Sequence, residues 1–184
     1  MRKNIIFGIL ILIIATSIVG CSSKVAMDTN DNAGKAFASW VNHYDNASDM
    51  IHKADLIVKG KLVDEMTEKR VDLIFTKAVI EVSKVYKGDI KENDTVTILQ
   101  TGGEMNGEKT EPFDDAPLLK NDGEYILFLT HTSEGHYLIA GGYQGAGKIK
   151  NSKVVFNVPD DEATKEFKNK SIVEVENLIK ENNK

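Results

Sequence analysis

The sequence predicts a mainly β domain with flanking helices, an α+β fold built around a small closed barrel. Three observations predict it. Apolar residues alternate through Val71, Leu73, Phe75 and then Ala78, Ile80, Val82. Glu124–Thr130 is continuously apolar in its centre, and the chain ends in a capped amphipathic helix. At 184 residues, 41% of them hydrophobic and 28% charged, the chain allows one ordinary domain with appendages.

Charge and composition remove several functions. A net charge of −5 argues against a nucleic-acid partner, which needs a basic face for the phosphates. A single cysteine excludes an internal disulfide framework and a cysteine-based zinc cluster. Lysine outnumbers arginine 21 to 2, so bidentate clamps on phosphate are nearly unavailable.

The first element is the N-terminal segment. Arg2 and Lys3 precede Ile5–Val19, which carries no charge. About 15 residues at 1.5 Å rise cover roughly 22 Å, short of the ~30 Å hydrocarbon core. A short greasy run behind a basic start reads as a secretory signal peptide over residues 1–20. Its end, Ile18-Val19-Gly20-Cys21, resembles the lipobox of bacterial lipoprotein precursors. That resemblance implies cleavage between Gly20 and Cys21 and a thioether-linked diacylglycerol, with palmitate-like chains, on Cys21. Two acyl chains hold a protein on a bilayer far better than one. An uncleaved anchor helix with an incidental cysteine is the other reading. Acylation leaves no free thiol for redox or nucleophilic chemistry, and loss of Arg2 and Lys3 takes the charge to −7.

Residues 21–35, centred on Asp28-Thr29-Asn30-Asp31-Asn32, are too polar to order themselves and read as a tether. The single globular domain then covers 36–184. Phe37, Trp40, Val41 and Tyr44 fall on one helical face, either packed on the domain or laid on a membrane. Ser48 is the expected cap of a second short helix, Asp49–Lys53.

Strands follow in a barrel of about 54–158. Leu56–Val63 forms the first and ends at Asp64-Glu65. The change of phase between Phe75 and Ala78 predicts a β-bulge near Thr76-Lys77, the bending that a small barrel requires. Val96 and Ile98 mark the next strand. Tyr125–Leu129 is expected to be the most buried, and Ser133-Glu134-Gly135 returns the chain as a hairpin into Tyr137–Ile139. Short strands at Gly147–Ile149 and Val154–Val158 complete the sheet. Phe167 is expected on the core, and Ser171 with Glu174 forms a capping box for a helix over about 171–182.

The order of these pieces resembles netrin-like domains, including tissue inhibitors of metalloproteinases. Ala54-Asp55-Leu56-Ile57-Val58 is similar to their opening strand, Val79–Gly88 to the second with its aromatic-Lys-Gly turn, and Glu124–Leu129 to a later central strand. The resemblance implies an OB-type five-stranded barrel. It does not imply their inhibitory mechanism, because a free N-terminal cysteine amine is needed and Cys21 is expected to be acylated. A broader resemblance is to small lipoproteins of Gram-positive bacteria.

Few residues offer chemistry. His131 and His136 flank a hairpin turn and are metal candidates, although two ligands do not make a site; a solvated tip accounts for them equally. Gly102–Glu124 is long and acidic, and reads as a lid or partner-contact loop through Glu104, Glu111, Phe113, Asp114 and Asp115, or as solvated filler. Gly141–Gly147 is either an anion nest beside Lys148 and Lys150 or a tight barrel corner. No nucleophile elbow, triad order or nucleotide fingerprint is present. The expectation is a non-catalytic, membrane-anchored binding or interaction module on the extracytoplasmic face, without cofactor, taking a protein or peptide partner. Two other readings stand beside it: a surface lipoprotein that sequesters a cationic peptide, conferring immunity or answering envelope stress, and an envelope hydrolase.

Overall fold

A computed structural model of the chain describes residues 43–158 and 160–183. The signal peptide, Cys21 with the tether, and Phe37, Trp40 and Val41 of the aromatic stripe lie outside the described residues. In chain order the elements are α1 (Ala47–Lys53), β1 (Leu56–Arg70), β2 (Leu73–Lys87), β3 (Thr95–Thr101), β4 (Gly103–Met105), β5 (Glu108–Thr110), β6 (Glu124–His131), β7 (Tyr137–Ile139), β8 (Ala146–Lys150), β9 (Lys153–Phe156), a 3-10 turn at Lys165–Phe167, and α2 (Ile172–Asn182).

The protein is mostly β, and five strands close on themselves. They pair in the order β1-β2-β3-β7-β6, and β6 pairs back to β1 from Leu56↔Leu129 to Lys61↔Glu124. All contacts in the ring are antiparallel except β3–β7, made at Ile98↔Tyr137. β8 and β9 extend the sheet outward from β6.

The continuous apolar run in β6 has a geometric cause. Side chains alternate across a strand, and both faces of β6 are covered. Tyr125, Leu127 and Leu129 point into the ring with Leu56, Val58, Ile80 and Ile98. Ile126 and Phe128 point outward into a second cluster with Met50, Phe156, Phe167, Val175 and Ile179, beneath the two helices. Each fully buried side chain of this size contributes about 1.5–3 kcal/mol. Phe167 stacks on Phe156 with ring centroids 5.2 Å apart, as its expected core position requires.

Three expectations need correction. The bulges are not near Thr76-Lys77: β2 keeps one phase there, with Ile74, Thr76, Ala78 and Ile80 all inward. Leu73 and Phe75 instead face outward near the end of a hairpin that outruns the ring. The register slips lie between Ile57/Val58, Lys59/Gly60 and Leu62/Asp64, leaving Tyr86, Ser83 and Val63 as the extra residues. Beside them, a Cβ on Gly60 would stand 2.5 Å from the Glu81 carbonyl oxygen, so only glycine permits this curvature. β1 does not end at Asp64-Glu65 but runs on to Arg70. The cap of α1 is Asn46, whose side chain accepts from the Asp49 N–H, rather than Ser48.

The helices are fastened by polar contacts. Lys87 Nζ donates to the Ile51 and His52 carbonyls at the end of α1, at 3.0 and 2.7 Å. The capping box at Ser171 and Glu174 is formed as expected. Glu176 of α2 accepts from Tyr86 Oη at 2.7 Å and Lys84 Nζ at 2.9 Å. Among the described residues no helix is long and apolar enough to cross a membrane.

Candidate functional site

The acidic stretch after β3 is not one loop. Its first half folds as the β4–β5 hairpin across Asn106-Gly107, with φ of 54° and 81°. An Asn-Gly pair is the commonest two-residue hairpin turn because both positions need positive φ. Glu104 and Glu111 are exposed around this hairpin, with Glu111 paired to Lys109 at 2.6 Å.

The second half is a strap tied down at several points. Gln100 Oε1 accepts from the Leu119 N–H at 3.2 Å. Tyr125 Oη accepts from the Lys120 N–H and donates to the Lys120 carbonyl, both at 3.1 Å. Asn157 Nδ2 donates to the carbonyls of Asp114 and Asp115, at 3.4 and 2.8 Å. Phe113 is half-buried and Asp114 exposed at the start of the strap.

Between this strap, the glycine turn and strands β8 and β9 lies a cavity of about 420 Å³. Its floor is the end of the ring core: Leu119 and Tyr125 belong to the inner cluster, with Ile139 and Ala146 packed against it. Lys120, Lys148 and Lys150 stand at its walls, with Asp115 the lining carboxylate. Lys148 and Lys150 are two apart on β8, which puts both on one face of the strand. Lys148 Nζ lies 2.5 Å from Asp122 and 5.9 Å from the centroid of the Tyr125 ring. That hydrogen bond holds the Asp122 carboxyl below its usual range and the Lys148 ammonium above its own. A hollow of this size, apolar at its base and carrying a few charged groups, has the build of a small-ligand site.

The glycine run does not present a nest. Gly142, Tyr143 and Gly145 donate their N–H groups to the carbonyls of Ile139, Gly141 and Ala140, within the turn. Gly141 and Gly142 adopt φ of 59° and 70°, and a Cβ on Gly141 would lie 2.1 Å from Gln144 Oε1. The run is a tight corner that seats a buried glutamine.

His131 and His136 both lie at the β6–β7 hairpin. The His131 ring stands edge-on to Tyr137 with centroids 5.2 Å apart, and its backbone N–H donates to Asp55. Among the described residues no three His, Cys, Asp or Glu side chains gather closely enough to hold a metal ion. Gly20 and Cys21 lie outside the described residues. Of the five acidic-loop residues singled out by sequence, Asp115 alone lines the cavity. Sequence reasoning missed Lys120 and Tyr125 as site residues; the spacing of Lys148 and Lys150 was the available signal. The fold and cavity together define a mostly β domain with a closed five-strand ring and a strapped hollow. No known protein family matches this sequence, and no curated protein matches it either.

Proposed function

We propose that this chain is a lipoprotein of a Gram-positive bacterium, held on the extracytoplasmic face of the cell membrane by an acylated Cys21. Its domain, of OB type, acts as a non-catalytic binding module. The lipobox-like run Ile18-Val19-Gly20-Cys21 supports the anchor. A ring of five strands with a single parallel contact supports the OB-type, netrin-like reading. The observation that carries the binding role is the strapped cavity, an apolar floor with lysines at its walls, built from separate parts of the chain. A cationic peptide gains no support as its occupant, because the walls already carry Lys120, Lys148 and Lys150. Nothing in the lining selects a nucleophile with an adjacent base, which a hydrolase needs.

The anchor is tested by expressing the full chain in a Gram-positive host fed labelled palmitate. Wild type should take up label and sediment with membranes. Cys21→Ser should take up no label. An unlabelled wild-type chain in the cytosol overturns the reading.

A further inference from the structure

We infer that the strapped cavity takes a small organic anion with an apolar body, such as an aromatic or acyl sulfonate, carboxylate or phosphate. This deepens the binding-module reading and rests on it. Three observations carry the inference. First, the hollow is large enough for a ligand with a body, and its base is the end of the ring core, the buried Leu119 with the partly buried Ile139 and Ala146. Second, its walls hold three lysines against one carboxylate, Asp115, although the chain as a whole is acidic. Third, the lysines are differently engaged. Lys148 is held by Asp122, whereas among the described residues neither Lys120 nor Lys150 has a carboxylate within ion-pair distance. Both residues are exposed, with Lys120 acting on the Asp122 carboxylate only at longer range, so both can close on an anionic head while the body lies on the floor.

Long-range electrostatics works against any anion here, because a negative chain repels it within a Debye length of about 8 Å. Recognition therefore depends on local contact, and the apolar body supplies what the charge alone lacks. Inorganic phosphate has no such body and should bind negligibly.

The test uses the full lipidated chain in nanodiscs of phosphatidylcholine, titrated with naphthalene-1-sulfonate, the uncharged naphthalene-1-methanol, and inorganic phosphate. The readout is the amide shifts of Gly142 and Ala146, which line the cavity. Naphthalene sulfonate should shift both, saturating at one per chain, and bind at least tenfold more tightly than the alcohol. In the double variant Lys120→Gln/Lys150→Gln its Kd should rise at least about fivefold, a typical scale for exposed ion pairs, with the alcohol unchanged within about twofold. Val155 is 43% exposed on the wall, so Val155→Glu adds a repelling charge without disturbing the core. It should weaken the sulfonate further and spare the alcohol. Equal affinity for sulfonate and alcohol, an unmoved Kd in both variants, or no shift with any probe overturns the inference. Palmitate labelling is independent of all three outcomes, so a failed ligand class and a failed anchor are told apart.

Discussion

Gln144 is fully buried, and each polar atom of its side chain has a partner. Nε2 donates to the Tyr44 carbonyl at 2.9 Å and to Asp161 Oδ1 at 2.5 Å, and Oε1 accepts from the Tyr44 N–H at 2.9 Å. The amide thus stitches the segment before α1 to the segment after β9. Burial pulls the Asp161 carboxyl upward, but hydrogen bonds from Gln144, the Tyr143 hydroxyl and the Ala163 N–H outweigh it and hold the group below its usual value. The same contact, after burial itself, pushes Tyr143 up to about 12. A carboxylate depressed in the folded state stabilises it above the unfolded value, near pH 4, and that contribution is lost as pH falls through the folded value. Urea-denaturation midpoints of the wild type should therefore decline below about pH 4. Asp161→Asn, weaker at neutral pH, should decline less across that window. An identical acid decline in the two proteins would show that Asp161 is not the group responsible.

At the scale of elements, β1 depends on Gly60. Gly60→Ala forces a Cβ to within 2.5 Å of the Glu81 carbonyl and 2.6 Å of Ile80 Cγ2, both in the facing strand β2. Relieving that contact flattens the strand where it must pass from β2 to β6, so the variant should lose about 2–3 kcal/mol of stability, read by urea denaturation. A loss under 0.5 kcal/mol would mean the curvature arises elsewhere. Elements with strong local signals were legible in the sequence: α2 through Ser171 and Glu174, the β6–β7 hairpin through Ser133-Glu134-Gly135, and β6 through its unbroken apolar run. The bulges were not, because alternation in sequence reports which face is apolar and not which partner a strand slips against. Leu73 and Phe75 were misleading for a related reason: they are large apolar residues on the outer face of a hairpin end. The β4–β5 hairpin was hidden by charge, although Asn106-Gly107 signalled it.

Across the whole molecule, one strand is wall to two cores. Leu127 faces the ring interior and Phe128 the helix-covered layer, so neither cluster can come apart while the other keeps β6 in place. Phe128→Ala should cost about 3–5 kcal/mol. Its unfolding should remain a single transition, coincident by far-ultraviolet circular dichroism and tyrosine fluorescence. Two separated transitions would show that the layers are independent. The candidate site was the least legible feature at this scale. Its walls come from the strap at 115–120, from β6, from the glycine corner and from β8 and β9, segments that no local pattern connects. Of the loop residues that sequence singles out only Asp115 reaches the cavity, and the converging lysines are only hinted at by the spacing of Lys148 and Lys150.

The β1–β2 hairpin carries one further consequence. Backbone pairing joins these strands from Ile57↔Lys87 to Arg70↔Leu73, and the turn between them places Val71, 92% exposed, at φ 55°. A β-branched residue is poorly suited to that left-handed backbone, and its side chain packs against little. Covalent continuity between Val71 and Asp72 thus matters less to the fold than the ladder behind it. The peptide bond at that tip is where the polypeptide can be cut, spliced with a foreign tag or given new ends while the two halves stay zipped together.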